Sequence, residues 1–178
     1  MKKTLLLWLS ALSLFLIAGA MLTFAQRRSI PALAATIPFS SARPDIRVTL
    51  AATVQRDDKT IRTEEAGLIQ PGEMLTWTIT SENIGGAAAH QYKAVGRIPA
   101  GTVFVAGSAH AASEPAITYS LDHGKTFSAR PTIPETQPDG TIKQAPAPVA
   151  MYTQVRFEWN TPLAAGQTLT ANYKVRVR

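Results

Sequence analysis

Hydrophobic and polar residues alternate along most of the chain that follows its N-terminal apolar segment. The clearest example is the segment 71–85, in which Leu75, Trp77 and Ile79 alternate with threonines and turn residues stand at both ends. Successive side chains of a strand point to opposite faces, so the alternation predicts one apolar face and one hydroxyl-bearing face. We interpret the segment as a central strand of an antiparallel sheet, with Trp77 in the core.

The same two-residue period recurs in segments that are separated by turn residues. Further strands are predicted at 60–63, 91–98, 102–105, 116–120 and 125–128. We expect the strand at 102–105 to continue the sheet of 91–98. The strand at 125–128 is expected to pair back on 116–120. Two last strands begin at Tyr152 and at Leu169. The first strand of this region places alternate residues on a single face that we predict to be buried: Ile46, Val48, Leu50, Ala52 and Val54.

No segment after residue 45 shows the helical period of hydrophobic residues. Short strands with turn signals between them are typical of an all-β fold, here an antiparallel β-sandwich of about seven or eight strands. A small closed barrel is the alternative architecture. The predicted core residues are Leu75, Trp77, Ile79, Phe157 and Trp159.

Prolines interrupt the alternation between residues 129 and 150. The segment contains five prolines and an Asp139-Gly140 pair. Proline cannot donate a backbone hydrogen bond, so this density excludes an interior strand or helix. We therefore predict a long surface loop inserted into the domain. Because loops at the end of a sandwich often carry binding, it is also the predicted interaction surface.

The first residues have the composition of an export signal. Two lysines precede an apolar run at 5–25, and small residues near its end offer cleavage sites. This pattern predicts an N-terminal apolar helix at 1–25 that serves as a signal peptide. If it is not cleaved, the run is long enough for a signal anchor, and membrane contact is then confined to it. We interpret residues 26–44 as a flexible linker before a domain at 45–178. An export signal would place this domain in the periplasm, at the cell surface or outside the cell.

The charge and the cysteine content exclude several classes of function. The formal net charge is +6, but five of the 18 Lys and Arg precede Pro44, which leaves 13 against 12 Asp and Glu, a net charge of +1. Nucleic-acid-binding proteins concentrate basic residues in the folded domain, so we predict no nucleic-acid partner. The chain has no cysteine, which excludes disulfides, thiolate metal ligands, a cysteine nucleophile and a lipoprotein anchor.

The segment 120–127 resembles the Asp-box pattern of sialidase-like propellers, Ser-x-Asp-x-Gly-x-Thr-aromatic. The resemblance implies a structural turn in which Asp122 accepts hydrogen bonds from turn amides, Gly124 supplies an open backbone angle and Phe127 anchors the hairpin in the core. A propeller would need several copies at a fixed period, and the sequence has one. The residues of this predicted turn are Ser120, Asp122, Gly124, Thr126 and Phe127.

Other residues that could carry chemistry are scattered along the chain. The three histidines have no second ligand at metal-binding spacing. Asp57-Asp58 and Glu64-Glu65 could meet across a hairpin as calcium ligands or as an acid–base pair, although a solvated turn is the commoner outcome. The four tyrosines could line a sugar-binding face, but the alternation of their strands explains them first. We predict no catalytic, metal-binding or cofactor-binding residues.

Four segments resemble, in the same order, parts of a bacterial surface-repeat family called domain of unknown function eleven. They contain a proline-glycine turn with an alternating strand, an asparagine-x-glycine, a proline-x-glycine turn before the next strand, and the approach to the last strand: 71–79, 82–85, 97–108 and 163–167. The resemblance covers residues 46–178 and departs at 129–150, which looks like an insertion. It implies a single immunoglobulin-like sandwich, secretion, and a structural or adhesive role without catalytic residues.

The sequence therefore favours an exported, non-enzymatic protein with a structural, adhesive or protein-binding role at the cell envelope. Its partner is expected to be a protein or another envelope component, and no cofactor is expected. A carbohydrate-binding module is one alternative, and it predicts an exposed planar row of aromatic side chains. A hydrolase is another, and it predicts a pocket with two convergent carboxylates or a histidine beside an acid.

Overall fold

The computed structural model describes residues 42–178, which form eleven strands and one short 3₁₀ turn, Val149–Met151. Every strand pairing among them is antiparallel, which confirms the prediction of an all-β antiparallel fold. The predicted leader and most of the predicted linker lie outside the described residues. The strands are β1 Ile46–Arg56, β2 Lys59–Arg62, β3 Met74–Asn83, β4 Lys93–Arg97, β5 Thr102–Phe104, β6 His110–Ala111, β7 Ala116–Ser120, β8 Thr132–Thr136, β9 Ile142–Pro146, β10 Gln154–Glu158 and β11 Thr168–Val177.

The larger sheet is built around β3. Its strand order is β2-β1-β3-β11-β5, and β6 also pairs with β11. In this register Trp77 stands between Ala52 of β1 and Tyr173 of β11. Long strands on both sides therefore satisfy the backbone of β3, and its predicted central position is confirmed.

The second sheet has three strands in the order β4-β10-β7. After β4 the chain turns at Pro99–Gly101, where the N–H of Thr102 donates to the carbonyl of Pro99 at 3.1 Å. This turn carries the chain to the larger sheet, and β5 pairs with β11. The expectation that 102–105 continues the sheet of 91–98 is therefore wrong, because successive strands lie on opposite sides of the core.

Residues 125–128 form no strand, although we predicted one. They make a single bridge to β7, in which Tyr119 and Ser128 exchange backbone hydrogen bonds of 2.8 and 3.0 Å. The N–H of Thr126 donates to the carboxylate of Asp122 instead. A side-chain acceptor has replaced the backbone acceptor that a ladder would need, so the pairing stops after one step.

Apolar residues from both sheets meet in one core cluster. Leu75, Ile79, Phe157 and Trp159 belong to it and are at most 8% exposed. Trp77 is partly buried and packs against the cluster rather than lying inside it. Its indole Nε1 is buried without a hydrogen-bond partner among residues 42–178. Trp77 thus marks the margin of the core.

Tyr173 connects the two sheets. It is fully buried on β11, and its hydroxyl donates to the carbonyl of Arg97 on β4 at 2.6 Å. Burial raises the pKa of this hydroxyl well above its usual range, so it stays a donor. The ring lies against Gly96, where a methyl group would overlap it. The glycine at position 96 therefore leaves room for the tyrosine ring to reach from the larger sheet to the smaller one.

The proline-rich segment forms a hairpin, which corrects the prediction of a long loop. β8 and β9 pair only with each other and stand apart from both sheets. Pro134 lies within β8 and Pro146 ends β9. Proline is tolerated on strands that have a free edge, and each of these strands has one. We call residues 132–146 the arm.

Only half of β1 has the buried face that its alternation predicts. Ala52 and Val54 are 2% and 1% exposed, whereas Val48 and Leu50 are 56% and 52% exposed. All four lie on the same side of the sheet, because alternate residues share a face. The second sheet has three strands against six in the larger one, and the N-terminal half of β1 is left half exposed.

Candidate functional site

The predicted Asp-box turn is formed, and its polar groups are used within the turn. The carboxylate of Asp122 accepts from Ser120 Oγ, from Thr126 Oγ1 and from the Thr126 N–H at 2.7 to 2.9 Å. These bonds, those from Thr126 first, lower the pKa of Asp122 well below its usual range. Ser120 Oγ also accepts from the N–H of Gly124, which has a φ of +91°. The oxygens of Asp122 therefore hold the turn, and a catalytic role would require breaking it.

Phe127 does not anchor this turn in the core as the resemblance implied. Its ring lies 4.2 Å from the guanidinium carbon of Arg156, in a cation–π contact. Arg156 points away from the core, because its neighbours Val155 and Phe157 fill the buried face of β10. The turn is therefore attached to the outer face of the smaller sheet.

The side chain of Asn83 holds the first described residues against the rest of the domain. Its hydrogen bonds explain why an asparagine stands in the asparagine-x-glycine motif. The side chain is fully buried and its Nδ2 donates to the carbonyls of Ala87 and Leu163 at 2.7 and 2.9 Å. Its Oδ1 accepts from the N–H groups of Asp45 and Gly85. At Gly85 a methyl group would overlap the backbone of residues 43–45. The glycine of the motif therefore allows these two backbone segments to lie in contact.

An ion pair between Arg56 and Glu73 is the strongest electrostatic feature of the larger sheet, and we did not predict it. The guanidinium binds the carboxylate through two bonds of 2.6 and 2.9 Å and also donates to the carbonyls of Ala66 and Leu68. Arg56 and the N–H of Gln70 lower the pKa of Glu73 to about 2. This pair orders the loop between β2 and β3. No local sequence signal identifies it, because the pairing depends on the register of β1 and β3.

The carboxylates that we considered for calcium or acid–base chemistry do not converge. Asp57 and Asp58 form the tip of the β1–β2 hairpin, both with positive φ, beyond the pair Arg56–Lys59. Glu64 and Glu65 follow the opposite end of β2. The length of β2, four residues, separates the two acidic pairs. Within residues 42–178, no three His, Asp or Glu side chains are grouped so that they could hold a metal ion.

The aromatic side chains pack inward instead of forming an exposed row. Tyr92 stacks on Trp159 with ring centroids 5.8 Å apart. Tyr119 and Tyr152 lie 4.9 Å apart and both contact the ring of Phe104. With Tyr173 buried as well, all four tyrosines contribute to packing.

The histidines take no part in a shared site. The side chains of His90, His110 and His123 are exposed and lie in separate loops or short strands. Nδ1 of His110 lies 3.0 Å from the carbonyl of Ser108, which is a local contact. None of them has an acidic side chain in hydrogen-bond contact within the described part of the chain.

Most residues of the arm are exposed. Its root is closed by a hydrogen bond of 2.9 Å from the N–H of Ala147 to the carbonyl of Pro131, and both residues are buried. Beyond the root most side chains are exposed, including Ile142 at 69%. An apolar side chain at such a position is available for contact with another molecule.

Comparison of the chain with protein-family models, with curated proteins and with solved structures found no significant match. Among residues 42–178, none of the helical segments has the length and apolar character that crossing a bilayer requires.

Proposed function

We propose that this chain is an exported, non-enzymatic protein whose single immunoglobulin-like sandwich acts by binding or structural support at the cell envelope. Its partner is a protein or another envelope component, and it uses no cofactor and no nucleic acid. The N-terminal apolar run of the sequence, preceded by two lysines, supports export.

Two features support the immunoglobulin-like assignment. The chain alternates between two antiparallel sheets that share one core, and strands close in sequence, such as β4 and β5, belong to different sheets. A buried tyrosine also links the sheets through its hydroxyl. The four segments that resemble the surface-repeat family form the central strand, the buried Asn83 with its hydrogen bonds, the turn after β4, and the residues that begin with Leu163, whose carbonyl accepts from Asn83. Each of them therefore has a structural purpose.

The non-enzymatic assignment is supported by how the ionisable groups are used. Asp122 is committed to its turn, and Glu73 is committed to Arg56 and Gln70. Glu158 pairs with Lys93 at 2.9 Å on the outer face of the smaller sheet. Groups held in this way stabilise the fold, and they do not form the nucleophile, base and oxyanion arrangement that a reaction needs.

The arm is the observation that carries the binding role. It costs conformational entropy to order a hairpin, yet the arm adds almost nothing to the core. It presents exposed side chains on both strands, and neither strand pairs with the two sheets. A rigid domain that projects a hairpin in this way is suited to reach a neighbouring molecule.

The test removes the arm while leaving its root closed. Replacing residues 132–146 by Asn-Gly keeps the bond between Ala147 and Pro131 as the closing bond of a two-residue turn. We expect this variant to keep its far-UV circular dichroism spectrum and its export. After cell fractionation and chemical crosslinking, it should lose the adduct with an envelope component that the full chain forms.

The matched control replaces Lys59 and Arg62 of β2 by glutamine, which changes an exposed edge without touching the arm. This control should retain the adduct. Recovery of the full chain from the cytosol would contradict export, and an adduct that survives removal of the arm would contradict the binding role of the arm.

A further inference from the structure

The outer face of the larger sheet carries hydroxyl side chains in rows that cross its central strands. Along β1, β3 and β11, the residues that point away from the core alternate with the buried ones. The strand register aligns them, so that Thr53, Thr76 and Lys174 form one row. Thr80 and Thr170 are neighbours in another row. We call this surface of β1, β3 and β11 the hydroxyl face.

The charges at the two ends of the hydroxyl face differ. At one end Arg47 approaches Glu82 at 3.6 Å, so these two charges compensate each other. At the other end Lys174 and Arg176 follow one another on the same side of β11. Within residues 42–178, neither of these two cations lies within ion-pair distance of an acidic side chain. This end of the face therefore carries uncompensated positive charge.

A shallow depression of about 370 Å³ lies at the positive end. Its lining combines an amide, a hydroxyl, an ammonium group and a thioether side chain with Gly72 and Glu73: Gln55, Gly72, Glu73, Met74, Thr76 and Lys174. The carboxylate of Glu73 is bound by the guanidinium of Arg56 and by the N–H of Gln70. Because that carboxylate is already paired, it does not neutralise Lys174.

We propose that this depression binds an acidic polysaccharide through a sugar residue that carries a carboxylate. Lys174 and Arg176 pair with the carboxylate, because a charged donor forms the stronger hydrogen bond to an anion. Gln55 and Thr76 exchange hydrogen bonds with the sugar hydroxyls, since both side chains can donate and accept. The site lies on the larger sheet and does not use the arm, so it goes beyond the function proposed above.

The side chains of the hydroxyl face favour this ligand over other polyanions. The outward residues of β1, β3 and β11 include no aromatic side chain, whereas proteins that bind single-stranded nucleic acid stack the bases on aromatic rings. A lipid surface would require apolar side chains to insert, and Met74 is the single large one among these outward residues. An acidic sugar matches both the cations and the hydroxyl groups.

The test is affinity electrophoresis of the full chain in native gels that contain polygalacturonate. Fully methyl-esterified polygalacturonate keeps the sugar hydroxyls and removes the negative charge. Poly-L-glutamate keeps the carboxylates and has no sugar. We expect polygalacturonate to retard the chain, with an apparent dissociation constant about tenfold lower than that for either of the other polymers.

Variants of the lining locate the site. Lys174→Gln should weaken the binding of polygalacturonate about tenfold, and Thr76→Val should weaken it about fivefold, because each removes one hydrogen-bonding group. Thr76→Ser restores the hydroxyl and should bind as the wild type does. The matched controls are Lys143→Gln, an equal change of charge on the arm, and Thr80→Val, an equal loss of a hydroxyl elsewhere on the hydroxyl face. Both should bind as the wild type does, and circular dichroism verifies that every variant is folded.

Three results would overturn the proposal. One is the absence of retardation by polygalacturonate. Another is equal retardation by poly-L-glutamate, which would show that charge alone is recognised. The third is an equal loss of binding in Lys174→Gln and Lys143→Gln. The measurement depends neither on the arm nor on crosslinking, so this test and the arm-replacement test can fail separately.

Discussion

The two halves of β1 have the same alternation of residues and different surroundings. In the C-terminal half, Ala52 and Val54 are buried, and β2 completes the backbone pairing. In the N-terminal half, Val48 and Leu50 have the same orientation but remain half exposed. The residues themselves do not explain the difference, since Leu50 is more apolar than Ala52.

The burial of a strand residue is therefore decided by what lies over it and not by its own apolar character. The larger sheet has six strands and the smaller one has three. Apolar area is stabilising in proportion to the water it excludes, so only the covered half of β1 contributes to the core.

The largest effect is expected from the layer that provides the cover. Phe157 is fully buried on β10, and Phe157→Ala should reduce the free energy of unfolding by about 3–5 kcal/mol. Leu50→Ala, on the uncovered half of β1, should change it by no more than about 0.5 kcal/mol. Urea unfolding at low protein concentration measures both. A loss at Leu50 as large as that at Phe157 would mean that the N-terminal half of β1 is covered in the monomer.

A smaller effect is expected where the two layers touch. Gly96→Ala would force a methyl group into the ring of Tyr173 and should cost about 1–3 kcal/mol. In a Tyr173→Leu background the same substitution should cost less, because the ring is gone, and a double-mutant cycle on urea midpoints reports the difference. Equal costs in both backgrounds would show that Gly96 is required for another reason.

The smallest effect concerns the ion pair at the end of the covered half of β1. The pKa of Glu73 is about 2 in the folded chain against 4.5 ordinarily. A lowered folded pKa stabilises the fold above the unfolded pKa, and this contribution is lost as the pH falls from about 4.5 to about 2. The stability difference between the wild type and Glu73→Gln, followed by circular dichroism, should therefore shrink over that interval. Glu64→Gln, at an exposed position, is the control and should behave as the wild type does; a difference for Glu73→Gln that is independent of pH would contradict the ion-pair explanation.

Much of the fold could be predicted from the sequence because strand structure has a local signature. The alternation around Trp77 identified β3 and its central position, and the patterns near Val54, Phe157 and Val175 identified β1, β10 and β11. The Asp-box turn was also recognisable, because its bonds join residues at most four positions apart. The environment of Phe127 could not be predicted, because its contact with Arg156 depends on how the turn packs on the smaller sheet.

The arm shows the limit of reasoning from residue types. The prolines correctly argued against an interior strand, yet two strands formed because an isolated hairpin leaves every proline at a free edge. That β4 and β5 belong to different sheets could likewise not be predicted from the sequence. After a short turn, the next strand can pair within the same sheet or join the other one. That the segment 129–150 is mostly exposed could be predicted from its sequence, but its hairpin form could not.

The alternation of residue types was enough to establish that residues 46–178 are all-β and which side chains share a face, because backbone geometry imposes a two-residue period on every strand. The tertiary structure decided which parts of those faces are covered, since Val54 is buried and Leu50 is half exposed on the same strand. It also decided the contacts between distant residues, such as Arg56 with Glu73 and Tyr173 with Arg97. These contacts depend on strand register and sheet order, and they arise only when the whole chain packs.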